Sequence, residues 1–190
     1  AIKNAVMASS LKDQLLFADA PSATKKDLRR VHSTAYVDYI FGVAPKAGLV
    51  RLDGDTSMGP MSLEATLHAT GAVIHATDLV MQGKVNNAFC CIRPPGHHAG
   101  RANSAGFCIF NHVAAGVAYV LEKYKLKRVA IIDFDVHHGD GTEDIFKDNA
   151  NVMLCSTFQY PFYPYKGAES ASDHMLNAPL PAKSNGKSFR

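Results

Sequence analysis

The chain has 190 residues, 47% apolar and 19% charged, and 20 basic against 17 acidic side chains leave a net charge of +3 with histidine neutral. One globular domain fits that length and composition, which exclude disorder, collagen and a disulfide miniprotein, and so small a charge without a basic run gives no argument for nucleic acid. No apolar stretch approaches the ~20 residues of a membrane span, the opening residues lack a signal-peptide pattern, and Cys90, Cys91, Cys108 and Cys155 form no CxxC pair, so buried reduced thiols in a cytoplasmic protein are expected.

In chain order, Leu63 to Gln82 reads as a helix, with Pro60 and Ser62 as start signals, Gly83 as the stop, and Leu63, Leu67, Val73, Ile74 and Val80 as its apolar positions. The run Ala88 to Ile92 reads as a buried strand entering the rigid loop Arg93-Pro94-Pro95-Gly96. Asn111 to Lys125 follows as a helix with Val113, Val117, Val120 and Leu121 on one side, then Val129 to Phe134 as a second buried strand. Asp140 opens a short helix through Phe146, and Val152 to Ser156 forms a third strand. Strands alternating with helices predict an α/β fold, a parallel sheet flanked by helices. Ligands of such sheets bind beyond the carboxyl ends of the strands, where RPPGHH, DVHHGDG and STFQYPFYP lie.

Two of those loops carry adjacent histidines, His97-His98 and His137-His138. If the extended chain continues past Ile132, then Asp133, Asp135 and His137 share one face, because side chains alternate along a strand. Two carboxylates there need a cation or hydrogen-bond donors. Asp135 and His137 are an oxygen and an imidazole donor of the kind zinc accepts, and Asp133 suits the orientation of a nearby imidazole. A tight loop points adjacent side chains in different directions, so His97 and His98 suit proton transfer better than joint ligation of one metal. The plainer readings make Asp140 a helix cap, one histidine a packed core residue, and His97-His98 a surface pair.

RPPGHHA, GFCIFNHVA and IIDFDVHHGDGTEDIF resemble the zinc-dependent histone deacetylase superfamily, closest to its bacterial histone-deacetylase-like amidohydrolases and its class II branch. LDGDTSMGPMSLEATLHATGA and STFQYPFYP extend the resemblance from about Val31 to near the C-terminus. It implies an arginase/deacetylase-type α/β fold and hydrolysis of an N-acetyl amide on a lysine peptide or polyamine. In that scheme Asp135 and His137 match two of three protein zinc ligands. His98 matches the main general base and acid, His97 its electrostatic partner, and Asp133 and Asp140 the carboxylates behind the two. Phe107 and Tyr163, with Gly106, match the tunnel that grips the acyl-lysine stem. Asp133, Asp135, His137 and Ser156 match an inner site for a monovalent cation such as K+, and Phe146, Asn149 and Val152 an outer one.

The resemblance further implies a third ligand, an aspartate, and a transition-state tyrosine, both downstream of PLPAKSNGKSFR, and an N-terminal strand before Ala1. On that expectation residues 1–190 are a single, truncated deacetylase-like domain, incomplete at both ends, with a sheet edge and apolar faces uncovered. Two other readings stand beside the zinc deacylase. An arginase-type binuclear hydrolase needs Asp-x-His-x-Asp, and Gly139 holds the last position. The other is a non-catalytic acyl-lysine binder or metal-binding remnant. The residues do not separate zinc from ferrous iron, nor fix the oligomeric state, and no membrane partner is expected.

Overall fold

The computed structural model describes residues 2–170 and 172–189. Helix α1 (Ile2–Met7), a 3-10 turn, α2 (Lys25–Leu28) and α3 (Thr34–Val43) lead into a hairpin of β1 (Val50–Arg51) and β2 (Ser57–Met58). Then come α4 (Ser62–Met81), α5 (His112–Tyr124), β3 (Val129–Asp133), α6 (Asp140–Phe146), β4 (Val152–Gln159), β5 (Met175–Leu180) and α7 (Gly186–Phe189). Strands β3, β4 and β5 form one parallel sheet in that order, with Asp133 paired to Ser156 and Ser156 to Asn177.

The sheet is parallel because α6 carries the chain back between β3 and β4. Along β4 the alternating Val152, Leu154, Ser156 and Phe158 point inward. Val152 and Leu154 meet Ile131, Met175 and Phe146, with Ala114, Ala115 and Val117 of α5 laid across them. On the opposite face Ile132, Met153 and Leu176 are exposed. A second core joins Leu28, Tyr36, Val37 and Ile40 to Met58, Ile109 and Phe110, with Leu63 and Leu67 of α4 against it. No helix among the described residues is long and apolar enough to cross a membrane.

Several sequence expectations need correction. Ala88 to Ile92 is not a strand and Phe89 is exposed, since no strand among the described residues lies beside it to receive its backbone hydrogen bonds. Cys91 is exposed for the same reason, whereas Cys108 is buried and burial pushes its thiol up to about 12. Strand β3 stops at Asp133 and is buried on one face only, while β4 runs on to Gln159. Val113 and Val80 are exposed. The buried face of α4 is instead Thr66, Ala69, Thr70 and Gly71, small residues that permit close packing. Met61, not Ser62, takes the N-cap position of α4, and the Ser62 hydroxyl accepts the Gly59 N–H of the preceding turn.

Two buried histidines tie the loops to these cores. His32 Nδ1 meets the Gly100 carbonyl at 2.8 Å and its Nε2 accepts the Asn111 N–H at 2.9 Å. His112 spans Thr70 Oγ1 at 2.8 Å and the Pro94 carbonyl at 3.1 Å. Asn111 caps α5 by accepting the Ala114 N–H, and its amide reaches Ala99 and Thr142. Burial lowers both histidines to about 4. Between about pH 6.5 and about pH 4 the unfolded chain therefore binds protons that the folded chain refuses. Stability from these two residues is complete above that window and is lost as pH falls through it, by roughly 3 kcal/mol each. Urea unfolding midpoints measured across this range should fall steeply on acidification.

Candidate active site

The turn carrying His97 and His98 is held from below and from the side. His112 grips Pro94, and the Thr142 N–H of α6 donates to the His97 carbonyl at 3.0 Å. Facing it is the segment after β3. There the chain does not continue extended; each carboxylate accepts the backbone N–H two residues on. Asp133 Oδ1 takes Asp135 N–H at 3.1 Å and Asp135 Oδ1 takes His137 N–H at 2.8 Å. Asp133, Asp135 and His137 are thus grouped by a ladder of short turns and not by strand alternation.

Two imidazole–carboxylate pairs bridge these segments. His97 Nδ1 lies 2.9 Å from Asp133 Oδ2, and His98 Nδ1 lies 2.8 Å from Asp140 Oδ1. A carboxylate only accepts, so each Nδ1 carries a proton, and a ring that is neutral keeps its lone pair on Nε2. The rings do not diverge as expected: their centroids are 4.0 Å apart, because both partner carboxylates come from the same segment. Burial disfavours the charged form of His97, yet the hydrogen bond and charge of Asp133 outweigh it and hold its pKa above the ordinary value. Burial likewise opposes ionised Asp133, and His97 overcomes it, leaving the carboxyl below its usual range. Asp140 does not cap α6. Gly139 holds the N-cap position, and the Asp140 carboxylate is spent on His98.

Aromatic rings surround the pairs. Phe162 stacks on His137 with centroids 5.3 Å apart and planes 12° off parallel. Tyr163 meets His98 edge-on at 5.0 Å, and burial, then Asp55, Asp140 and Asp53, pushes its hydroxyl up to about 12. Gly106 lies against His98, where an added Cβ would come within 2.2 Å of the ring. Phe107 follows, 62% exposed.

Asp135 Oδ1 and His137 Nδ1 are 3.0 Å apart. Two donors at zinc bond lengths and a tetrahedral angle sit about 3.3 Å apart, so this pair fits half of a zinc site. Among the described residues no group of three or more His, Cys, Asp or Glu side chains is placed to hold a metal. Ser156, beside Asp133 across the ladder, bonds His138 Nδ1 at 3.0 Å. The outer set occupies a turn in which Asn149 N–H donates to Phe146 O and Val152 N–H to Asn149 O.

Sequence reasoning singles out His138 and allows one histidine to be a packed core residue, but misses that ring's partners. His138 is fully buried, with Glu143 on its Nε2, and Asn177 of β5 donates to the same Glu143 oxygen. Burial opposes the charge of Glu143, but His138 keeps its pKa low. The signal available is Glu143 one helical turn beyond Gly139. Lys166 Nζ, 3.6 Å from Asp140 Oδ2, stands in a cavity of about 490 Å³ that also touches Glu143, Lys147 and Tyr165. No local pattern announces it.

Residues 1–190 match the histone deacetylase domain family. The chain is 45% identical over 133 residues to type-2 histone deacetylase 1 of Dictyostelium discoideum, covering 66% of this chain and 9% of that protein. It is 35% identical over 186 residues to the histone deacetylase-like amidohydrolase of Pseudomonas aeruginosa, covering 94% and 49%. It is 35% identical over 163 residues to polyamine deacetylase HDAC10 of Homo sapiens, covering 82% and 24%. The solved HDA15 HD domain superimposes with a TM-score of 0.85 at 33% identity, over 93% of this chain and 52% of that one. In each case the chain spans about half of the relative's length or less.

Gly139 lies tight against the first of the imidazole–carboxylate pairs. A Cβ there would stand 2.3 Å from Asp133 Oδ2 and 3.4 Å from His97 Nδ1. Gly139→Ala should force Asp133 off His97 and cost roughly 1–3 kcal/mol, read as a lowered melting temperature.

Proposed function

The chain belongs to the histone deacetylase family, and from that premise we propose that it carries the acid–base machinery of a zinc-dependent N-acetyl amide hydrolase. The observation that supports this is the pairing of His97 with Asp133 and of His98 with Asp140 beside the converging Asp135 and His137 donors.

Each side chain then has a task its surroundings suit. Asp140 fixes the tautomer of His98, so Nε2 can take a proton from the attacking water and return it to the leaving amine. His97, held by Asp133, supplies favourable charge next to that ring. Asp135 and His137 would hold zinc, with a third donor from outside the described residues, and the bound ion would polarise the acetyl carbonyl and acidify water. Phe107, Gly106 and Tyr163 would line the channel for a methylene stem, which is apolar along its length and excludes bulk water. A monovalent cation such as K+ would sit under Asp133, Asp135, His137 and Ser156, offsetting the carboxylates. The substrate class is an acetylated primary amine, an acetyl-lysine peptide or an acetylpolyamine, the latter in line with the name of the human relative.

The arginase-type reading places a second-metal donor at position 139. A Cβ there would stand 2.3 Å from Asp133 Oδ2, so a donor side chain at 139 would displace the carboxylate that holds His97.

Acetate release from an acetyl-lysine peptide tests the proposal. The protein should turn over only with zinc present, and His98→Ala should lower the rate by about 10²- to 10⁴-fold. Asp140→Asn should also slow it, by losing the tautomer. Asp135→Ala should weaken zinc binding measured by calorimetry. Turnover unchanged in His98→Ala overturns the assignment of the base.

A further inference from the structure

Thr56 sits at the tip of the β1–β2 hairpin, 1% exposed, and belongs to none of the residues assigned above. Its hydroxyl donates to Asp55 Oδ1 at 3.0 Å and accepts the backbone N–H of Phe107 at 3.0 Å. Two further bonds run parallel to it. Asp55 Oδ1 accepts the Gly106 N–H at 3.1 Å, and Asp53 Oδ2 accepts the Ser104 hydroxyl at 2.8 Å. The other Asp53 oxygen closes the hairpin tip on the N–H groups of Asp55 and Thr56. The tip is therefore internally fixed, and it grips the 104–107 segment 51 residues along the chain.

That segment needs a grip. Gly106 and Phe107 both have left-handed backbones, φ 54° and 67°. Glycine adopts this region freely, but a phenylalanine there is strained and relaxes toward extended geometry unless held. Packing of the exposed Phe107 ring cannot hold it; the Ala105–Cys108 backbone pair closes the turn, and the N–H bond to Thr56 ties it to the hairpin.

We infer that Thr56 is a positioning residue which, through the Phe107 N–H, sets where the Phe107 ring stands and so how tightly the site grips the stem of its substrate. The inference rests on the reading of Phe107 as a channel wall. A wall contact is made equally by bound substrate and transition state, so its loss raises KM and leaves kcat in place.

Amide hydrogen exchange of the whole chain, followed by NMR, tests the grip without any turnover. Thr56→Val keeps the shape and removes the acceptor; Phe107 N–H should then exchange at least about tenfold faster, with Leu154 in β4 unchanged. Thr56→Ser restores the acceptor and should stay within about twofold of the parent. Thr56→Ala, which adds no apolar branch, is read in the same way. Unchanged exchange at Phe107, or equal acceleration at Leu154, overturns the inference. With an acetyl-lysine peptide, Thr56→Val should raise KM about tenfold with kcat within about twofold; a fall in kcat at constant KM overturns it. A parent protein that hydrolyses no acetyl-lysine peptide defeats the proposed function alone, and exchange at Phe107 then decides the role of Thr56.

Discussion

Two imidazoles set side by side, mostly out of water, need acceptors for their N–H groups, and both acceptors come from the eight residues after Ile132. That requirement fixes the fold around the site. The His97–His98 turn must lie across the end of β3, and the helix that follows must begin where its first turn can donate to the His97 carbonyl. The supports behind the turn, His112 on Pro94 and His32 on Gly100, then connect it to both cores.

The sheet contributes through register. Pairing of Asp133 with Ser156, and of Ser156 with Asn177, sets three polar residues in one row across the sheet, level with the end of β3. A shift of one residue would turn Asp133 away from His97 and expose Val152 and Leu154 in place of Met153. Burial of α5 on Ile131, Val152 and Leu154 therefore guards the site geometry as well as the core.

The sequence is most readable where a residue's neighbours are close along the chain. The helix 112–124 is plain because Asn111 caps it and its apolar positions recur at helical spacing, and the helix 140–146 because Gly139 and the first-turn acids open it. The histidine pairs stand out by composition, but the turn ladder that groups Asp133, Asp135 and His137 depends on side-chain-to-backbone bonds that strand alternation does not describe. Strand β5 escapes notice because Asn177 and Pro179 interrupt its apolar pattern and its place is set by β4. Ala88 to Ile92 fails in the opposite sense, since an apolar run becomes a strand only beside another. Thr56 and Lys166 act on partners 51 and 26 residues away, a separation no local pattern encodes.

The turn ladder has one further consequence. Asp135 Oδ1 both receives the His137 backbone and faces the His137 ring, so the two donors share a single structural element. Their contributions to ion affinity are coupled. A double-mutant cycle through positions 135 and 137 would carry a large interaction energy, with the second deletion costing far less than the first. Affinity at this site belongs to the pair, and selection acting on either residue acts on both.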